Sequence, residues 1–400
     1  MTCLACGRKS VSKQLDLGAH PVSSFFLPAR NTKQILVPLA LGQCTDCGTI
    51  QLNNPVPHDK LVPPYEWLFA REPEDHLDDT VERVLNIEGV TKDCIVGGLT
   101  SKDDTTIDRF RAKGFRSTWR LDLAEDLGIR DPKANIETVQ KLTTAKAMKA
   151  IAAKKGQADI LIVRHIMEHT EDLRAFLGGI AELVSPGGLI ILEVPDCTPC
   201  LQLNDYGMIW EEHSLYLTPE TFFPLIQTVG FESLQTINYP YSFENSLVQI
   251  ARKHEQPAPA EFAVKSLATP LDISNYVSSF QPTTEALRHF LHRYKQESGP
   301  IALFGAGHLA CAFVNFHQLG DLIEFIADDT PQKQGLFLPG SGLPILPTST
   351  LVDRGIKLCL LAVSITNETN VISRNPEFIA QGGDFRSIFA GSPRSIRRLI

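Results

Sequence analysis

The sequence predicts an α/β protein in which two blocks of parallel sheet follow a small cysteine-rich segment. Continuous rather than alternating apolar runs recur twice along the chain with helical stretches between them, which is typical of parallel strands covered on both faces. Two CxxC pairs precede the first block, and the Pro-containing stretch 253–262 separates it from the second. We therefore predict domains at 1–70, 71–255 and 256–400.

The elements of the first block follow from apolar spacing. A helix is predicted within 71–90, and strands then alternate with helices. Thr218 is a suitable N-cap and Gly230 a suitable terminator, so one helix is predicted between them. The predicted strands are DCIVGGL, STWRLDL, DILIVRHI, GLIILEV, FESLQTINY and NSLVQIARK, and the other predicted helices are TTIDRFRAKG and TEDLRAFLGGIAELV.

The second block repeats this alternation after the helical stretch TEALRHFLHRYKQ. Its apolar runs are PIALF, IEFIADD, KLCLLAVS and FRSIF. The sequence contains no short-period repeat that would suggest a solenoid, so a second α/β domain is predicted.

Bulk composition excludes several classes of protein. The 400 residues are 43% hydrophobic and carry a net charge of −8, which is ordinary for a globular protein and disfavours a broad nucleic-acid surface. No apolar run reaches the roughly 18–20 residues of a membrane-spanning helix, and the N-terminus lacks the apolar core of a secretory signal. We expect a cytoplasmic protein without nucleic-acid or membrane partners. The oligomeric state stays open, and a monomer is compatible with the sequence.

The two CxxC pairs predict a structural zinc site. Cys3 and Cys6 form one pair, Cys44 and Cys47 the other, and a glycine follows each pair. Thiolates one turn apart suit two corners of a tetrahedral zinc site, and four thiolates leave no coordination position for water. The alternative is four unrelated reduced cysteines, which the paired spacing makes less favoured.

A polar turn follows the first strand of the first block. The turn GGLTSKDDTT leads into a helix, and the next strand ends at Asp122. This order is typical of nucleotide sites, in which turn amides face the ligand and the acid binds ribose hydroxyls. The turn departs from GxGxxG, so a ligand-free turn of an α/β sheet is an equal alternative at this point.

Several motifs together make the chain resemble a known family. They are CLACG, LGAHPVSSFFLP, CTDCGTIQL, PPYEWLF, MEHTEDL, SPGGLIILEVPD, EEHSLY, LFGAGHLA and FIADDTPQKQGLFLPG. In this order they resemble the sugar-nucleotide C-methyltransferases of deoxysugar biosynthesis. The resemblance implies a class I S-adenosylmethionine (SAM) methyltransferase domain, Rossmann-like in shape, between an N-terminal zinc-binding domain and a C-terminal Rossmann-like domain. It also implies SAM and structural Zn²⁺ as cofactors and a nucleotide-linked keto-sugar as substrate.

The resemblance carries cofactor-binding roles onto particular residues. The family's glycine-containing turn corresponds to 99–105, where Thr100 and Asp104 replace the two glycines. Glycine permits a positive φ and a close approach of backbone to ligand, so these replacements leave a degenerate, non-catalytic scaffold as an alternative. The implied cofactor-binding residues are Leu99, Ser101, Asp103, Asp122, His165 and Ile166.

The cluster WEEHSLY lies where the family has its catalytic residues. The resemblance implies His213 as the base that deprotonates the carbon beside the ketone, and Glu212 as the residue that orients it. On the residues alone, an exposed acidic loop would be favoured. Adjacent side chains on a strand point to opposite faces, so Glu212 and His213 can converge only if the backbone here is irregular. The pattern does not favour a metal site, because no third ligand lies nearby in sequence.

Other residues are implied to line the substrate pocket. The resemblance places Tyr65, Trp67, His169 and Trp210 there, with Trp67 and Trp210 at positions where the family has tyrosine. For Tyr65 and Trp67, ordinary packing of the first domain against the second is an equal alternative.

The motif FGAGHLA follows an apolar strand in the second block. Gly305 and Gly307 belong to a GxGxxA pattern, and Asp328 ends the next strand, an arrangement that alone indicates a dinucleotide site. An NAD-dependent oxidoreductase is therefore a further alternative. The resemblance instead implies that Gly305, Gly307 and Asp328 help to bind the nucleotide end of the substrate.

Overall fold

The structure is a computed structural model that describes residues 1–62, 64–65, 73–131, 134, 136–256 and 270–400. Its strands form three sheets of four, six and five strands. The predicted fold class is confirmed. Within the described residues, every helix is too short or too polar to cross a membrane.

The first sheet is built mainly from the cysteine-rich segment. Its strands β1–β3 are Val11–Pro21, Leu36–Cys44 and Ile50–Leu52, and a 3₁₀ turn follows at His58–Lys60. All pairings are antiparallel. The fourth strand, Leu215–Tyr216, comes from the central part of the chain and pairs with β3. The segment directly after residues 210–213, here called the WEEH cluster, is thus anchored to the first sheet.

The second sheet carries the central block. Its strands are β4 Val96–Gly98, β5 Thr118–Arg120, β6 Ala158–Arg164, β7 Val184–Asp196, β9 Phe231–Tyr239 and β10 Asn245–Lys253, with β8 being Leu215–Tyr216. The helices are α1 Leu77–Leu85, α2 Asp104–Ala112, α3 Leu123–Leu127, α4 Ile136–Leu142, α5 Ala145–Lys155, α6 Leu173–Leu183, α7 Thr198–Gln202 and α8 Pro219–Phe222. Short 3₁₀ helices are Ser101–Asp103, Met167–His169, Tyr206–Met208 and Ile226–Val229. The strand order is β5-β4-β6-β7-β10-β9.

Two expectations for this block were wrong in detail. The sheet is mixed rather than parallel, because β10 runs antiparallel to both β7 and β9. The short connection between β9 and β10 contains no crossover helix, so these two strands pair as neighbours in opposite directions. The helix expected from Thr218 to Gly230 breaks after Phe222 and resumes as a 3₁₀ turn at Ile226. Pro224 lies in the gap and cannot donate the hydrogen bond that a continuous helix requires.

The third sheet is fully parallel, as predicted. Its strand order is β13-β12-β11-β14-β15, and a long helix, α9, precedes it. The strands are β11 Ile301–Phe304, β12 Ile323–Ala327, β13 Ile345–Leu346, β14 Leu358–Leu361 and β15 Asp384–Ser387. The helices are α9 Ser274–Glu297, α10 His308–Phe316, α11 Thr350–Asp353, α12 Ile365–Ser373 and α13 Pro376–Ala380, with a final 3₁₀ turn at Ile396–Arg398.

Each of the three sheets, with its helices and loops, forms one part of the chain. Contacts among these three parts converge on one region. The N–H and hydroxyl of Ser23 both donate to the buried carboxylate of Glu211. Leu27 forms an antiparallel bridge with Phe337 of the third part. Phe26 belongs to the apolar core of the third part, and Tyr65 packs against that core. The stretch 22–27 is therefore held between the WEEH cluster and the C-terminal sheet.

Candidate active site

The four paired cysteines form a buried thiol cluster. The Sγ atoms of Cys3 and Cys47 are 3.6 Å apart, those of Cys6 and Cys44 are 3.7 Å apart, and all four lie within 4.8 Å of one another. In each pair the second cysteine's N–H points to the first cysteine's sulfur at 3.5 Å. These N–H···S contacts and the four-sulfur set fit a tetrahedral zinc ion.

Two thiols of this cluster have strongly shifted pKa values. The hydrogen bond between Cys3 and Cys47 raises the pKa of Cys3 far above its usual range and lowers the pKa of Cys47 to about 5. The hydrogen bond thus favours the thiol at Cys3 and the thiolate at Cys47. A dication would displace such protons and hold all four sulfurs as thiolates.

Substituting Cys44→Ser is expected to remove the bound metal. Wild-type protein purified into metal-free buffer should contain one zinc per chain, and the variant should contain none, because three thiolates and a hydroxyl bind zinc poorly. Elemental analysis of both proteins checks this. Cys94→Ser, outside the cluster, is the matched control and should keep its zinc. A folded wild-type protein free of metal would contradict the site.

The predicted cofactor turn closes around Asp103. This carboxylate is fully buried, and its Oδ2 accepts the N–H groups of Leu99 at 2.7 Å and Thr100 at 2.8 Å. Its Oδ1 accepts the N–H of Arg164 at the end of β6. A Cβ on Gly98 would lie 2.9 Å from the Cβ of Asp103, so only glycine fits there. Asp103 therefore shapes the turn from within through its carboxylate, and its role in cofactor binding stays a prediction.

The replaced glycines are compatible with this turn. Thr100 has extended backbone (φ −129°) and caps the following 3₁₀ turn, while Asp104 is helical (φ −56°). Neither position requires a positive φ, so the side chains cause no backbone strain. Ser101 is exposed on the turn. The turn thus accommodates Thr100 and Asp104 without strain, and its role in cofactor binding stays a prediction.

Asp122 lies at the end of β5 beside this turn, where it is exposed. Its Oδ1 caps helix α3 by accepting the N–H groups of Ala124 at 2.9 Å and Glu125 at 2.8 Å. Both of these hydrogen bonds are accepted by the same oxygen, Oδ1. Asp122 thus caps helix α3, and its predicted role in binding ribose hydroxyls stays a prediction.

Beneath the turn, Glu193 in the C-terminal half of β7 forms the centre of a buried polar network. Its carboxylate accepts from Arg164 Nε and from the hydroxyl of Ser246 at 2.7 Å. His165 Nε2 and His76 Nε2 each lie 3.0 Å from its Oε1. Burial opposes ionisation, but His165, His76 and Arg164 hold the pKa of Glu193 well below its usual range.

His165 occupies an unusual backbone conformation. Its φ is +48°, which few non-glycine residues adopt and which is found preferentially at functional sites. The backbone N–H of His165 donates to the Glu193 carbonyl, and its ring contacts the Glu193 carboxylate. The next residue, Ile166, is fully buried. The network of Glu193 therefore holds the loop after β6 in a strained shape.

Three rings meet at the WEEH cluster. His169 and His213 pack edge to face with centroids 4.7 Å apart, and Trp210 lies 5.0 Å from His213. His169 Nδ1 is 3.0 Å from the carbonyl oxygen of Glu212. Burial and the nearby His213 hold the pKa of His169 well below 6.5, so this ring is neutral at pH 7. The backbone from 211 to 214 is irregular, as predicted.

The carboxylates of this loop have different environments. Glu211 binds Ser23, and burial raises the pKa of Glu211 to about 7. Glu212 is also buried, and its main-chain carbonyl is the group that contacts His169. A role of the Glu212 carboxylate in orienting His213 stays a prediction.

The loop also reaches the third part of the chain. Trp210 stacks on His308 with centroids 4.4 Å apart and planes inclined by 20°. His308 begins helix α10, directly after Gly307. Among the other predicted pocket residues, Tyr65 donates from its hydroxyl to the Phe26 carbonyl at 3.1 Å. Trp67 lies outside the described residues.

The side chains of Asp328 and Lys333 hydrogen-bond to the backbone of the GxGxxA turn. Asp328 Oδ2 accepts the N–H of Ala306 at 2.7 Å, and its Oδ1 accepts the N–H of Thr330 at 2.8 Å. Lys333 donates to the Ala306 carbonyl and lies 3.4 Å from Asp328. Both carboxylate oxygens are engaged by the chain, whereas a nicotinamide dinucleotide site needs this acid for ribose. The geometry therefore does not favour NAD.

The two glycines of this turn differ. Gly305 has φ +102°, and a Cβ there would lie 2.8 Å from Val363 Cγ1, so the turn requires glycine at this position. A Cβ on Gly307 would meet no atom within 4 Å. Backbone at Gly307 is therefore open to a ligand approaching beside Trp210 and His308.

Sequence reasoning missed several residues of this region. Arg164 and Glu193 are charges that directly follow the apolar runs ILIV and LIIL, and that position was the signal for a buried pair. Glu168, beside His169 in the turn after β6, lies with His169 and His213 within 4.8 Å. No sequence signal joined Glu168 to His213, because they are distant along the chain.

Comparisons with known proteins agree with this architecture. Three family models match successive segments: a zinc-binding domain over 3–61, a methyltransferase domain over 101–236 and a C-methyltransferase C-terminal domain over 252–389. The chain is 25% identical to the C-methyltransferase NovU of Streptomyces niveus over 397 residues, which covers 96% of this chain and 94% of that protein.

Solved structures with some likeness include two methyltransferases. A SAM-dependent methyltransferase from Clostridium acetobutylicum is 10% identical, with a TM-score of 0.31, over 46% of this chain and 93% of its own. The 1,6-didemethyltoxoflavin-N1-methyltransferase of Burkholderia thailandensis is 14% identical, with a TM-score of 0.30, over 45% and 77%. These values are too low to support an argument.

The order of the three matched domains is the order that the structure shows in its three sheets. The match with NovU extends over nearly the whole of both chains. The chain therefore matches, in order, the zinc-binding, methyltransferase and C-terminal domain models of C-methyltransferases, and it is a SAM-dependent C-methyltransferase.

Proposed function

We propose that this enzyme methylates a nucleotide-linked keto-deoxysugar at the carbon beside its ketone. A saturated sugar carbon is a poor nucleophile unless a neighbouring carbonyl allows an enolate to form, so methylation at such a carbon needs an adjacent ketone and a base. The chain offers a histidine base at the meeting point of its three parts. The resemblance to NovU over nearly the full chain is consistent with a substrate of this class.

The observation that carries the proposal is the position of His213. It lies on an irregular loop between His169 and Trp210, and it is partly exposed while its neighbours on the loop are buried. The unprotonated nitrogen of an imidazole can accept a proton from a substrate carbon that lies within reach. In the proposal, His213 takes the proton from the substrate carbon, and the ring of His169, packed edge to face against it, holds His213 in position.

The nucleotide end of the substrate is assigned to the GxGxxA turn. Trp210 joins this turn to the catalytic loop through its stack on His308. Backbone at Gly307 is open, and Lys333 supplies a positive charge behind the turn at Ala306. A sugar at His213 would thus have its diphosphate directed towards the N-terminus of α10, where amides and the helix dipole favour anions.

When bound, SAM supplies an electrophilic methyl group. The residues proposed to hold it lie at the ends of β4, β5 and β6: the turn after Leu99, the carboxylate of Asp122, and the loop at His165 and Ile166. The network of Glu193 supports this loop from below. In-line transfer requires that the methyl lie between this loop and the sugar carbon at His213.

Replacing Asp122 by alanine is expected to weaken SAM binding by about 1.5–3 kcal/mol, as for the loss of a charged hydrogen-bond partner. Isothermal titration with S-adenosylhomocysteine checks this. The matched control is Asp122→Asn, which keeps an oxygen to cap α3 but loses the charge. If Asp122→Asn is as stable as the wild type but binds S-adenosylhomocysteine more weakly, the carboxylate's role in binding is separated from its role in capping α3. Unchanged affinity in both variants would mean that the ribose lies elsewhere.

Deuterium exchange tests the proposed chemistry without methyl transfer. Enzyme with S-adenosylhomocysteine and a nucleotide-linked keto-sugar in D₂O should exchange the hydrogen on the carbon beside the ketone. The exchange is followed by proton NMR. Methylation of the same sugar without any such exchange, by enzyme that binds both ligands, would count against the enolate.

A further inference from the structure

We propose that Glu168, His169 and His213 bind one divalent transition-metal ion, at a site separate from the four cysteines, and that its occupancy stops catalysis. The inhibitory half of this inference rests on the proposed role of His213 as base. The binding half rests only on geometry.

Two loops bring the three ligands together. Glu168 and His169 belong to the 3₁₀ turn Met167–His169 after β6, and His213 belongs to the irregular loop before β8. The N–H of Ser214 donates to the Glu168 carbonyl at 2.8 Å and ties the loops to each other. One carboxylate oxygen and two imidazole nitrogens consequently lie within 4.8 Å of one another.

Within the described residues, the buried carboxylate of Glu168 is incompletely hydrogen-bonded. Its side chain is 2% exposed, and within the described residues its Oε2 has no hydrogen-bond partner. Its Oε1 lies 3.6 Å from His165 Nδ1. A buried, incompletely paired carboxylate is costly, and a cation beside it would remove that cost.

His169 is oriented as metal-binding histidines usually are. A carbonyl oxygen can only accept, so the contact with Glu212 places the proton on Nδ1 and the lone pair on Nε2. Donation of one ring nitrogen to a carbonyl or carboxylate is the usual support of a histidine ligand. The carbonyl of Glu212 thus fixes the tautomer that a metal requires.

The ligand types indicate which metals the site would take. Two imidazoles and one carboxylate suit Zn²⁺, Co²⁺ or Ni²⁺, whereas Mg²⁺ and Ca²⁺ prefer oxygen ligands alone. Coordination uses the lone pair of His213 with which it would accept a proton. A metal-bound His213 therefore cannot act as base, and the expected effect of occupancy is inhibition.

Cobalt absorbance tests the binding half on full-length protein with its cysteine site filled with zinc. Co²⁺ bound by nitrogen and oxygen gives weak visible bands, whereas Co²⁺ at cysteines also gives intense thiolate charge-transfer bands. We expect titration to give the weak bands alone, at one equivalent per chain. Glu168→Gln should weaken this binding by about tenfold or more, and His213→Gln should do the same. Glu171→Gln is the matched control and should bind normally.

The absence of added cobalt bands, or equal binding by wild type and both site variants, would overturn the site. This measurement needs neither substrate nor turnover, so it stands even if His213 is not the base. Should Glu168→Gln fail to fold, as judged by its thermal melting, the His213→Gln variant alone decides.

Zinc inhibition tests the regulatory half. In resin-treated buffer, added Zn²⁺ should lower the rate of the wild type and of Glu171→Gln alike. The Glu168→Gln variant, measured against its own metal-free rate, should need about tenfold more zinc for the same inhibition. Stimulation by zinc, or an unchanged rate at zinc levels that fill the site, would overturn the inhibitory role.

Discussion

Replacing His213 by glutamine is expected to lower kcat by about 10²- to 10⁴-fold, the range of a lost general base. Glutamine keeps a polar side chain of similar reach between His169 and Trp210 but cannot accept a proton at neutral pH. SAM affinity should stay near that of the wild type, because His213 lies on the loop before β8 and not on the cofactor turn. Single-turnover kinetics with saturating SAM and calorimetric titration measure the two quantities.

The matched control for this variant is His289→Gln, an exposed histidine on helix α9. Its rate should equal that of the wild type. A His213→Gln variant that retains wild-type kcat would remove His213 from the mechanism.

Replacing Glu193 by glutamine is expected to destabilise the central part of the chain by about 3–5 kcal/mol, as when one partner of a buried ion pair is removed. Arg164 would remain 1% exposed without its carboxylate. Urea unfolding followed by fluorescence measures the loss. Glu232→Gln, exposed on β9, is the matched control and should change stability little.

The same carboxylate predicts a pH dependence of stability. The folded-state pKa of Glu193 is held well below the ordinary value of 4.5. Its contribution is therefore fully present above pH 4.5 and is lost as the pH falls through the folded-state value. Between pH 7 and pH 3 the wild type should lose more unfolding free energy than Glu193→Gln. Parallel pH profiles of the two proteins would contradict an ionised Glu193.

Local patterns in the sequence predicted local features well. The spacing of Cys3 with Cys6 and of Cys44 with Cys47 predicted paired knuckles, and the four sulfurs do converge. The GxGxxA pattern predicted a turn between β11 and α10. Such features depend on a few neighbouring residues, whose geometry is determined by short-range sterics and hydrogen bonds.

Features that depend on distant segments were not predictable in this way. Strand β8 leaves the central block to join the first sheet, and β10 inserts antiparallel beside β7. The network of Glu193 joins four segments of the chain, so no window of sequence contains it. Asp328 matched the dinucleotide pattern, but Lys333 and the N–H of Ala306 engage its carboxylate.

The central claim is that the methyl group is transferred to a carbon beside the ketone of a nucleotide-linked keto-sugar. The most direct test is NMR of the product formed from SAM with a ¹³C-labelled methyl group and a panel of such sugars. The expected result is a labelled methyl bonded to a ring carbon adjacent to the ketone, formed by the wild type and not by His213→Gln. Label attached to oxygen or nitrogen, or no labelled product from any keto-sugar by enzyme that binds SAM, would contradict the account.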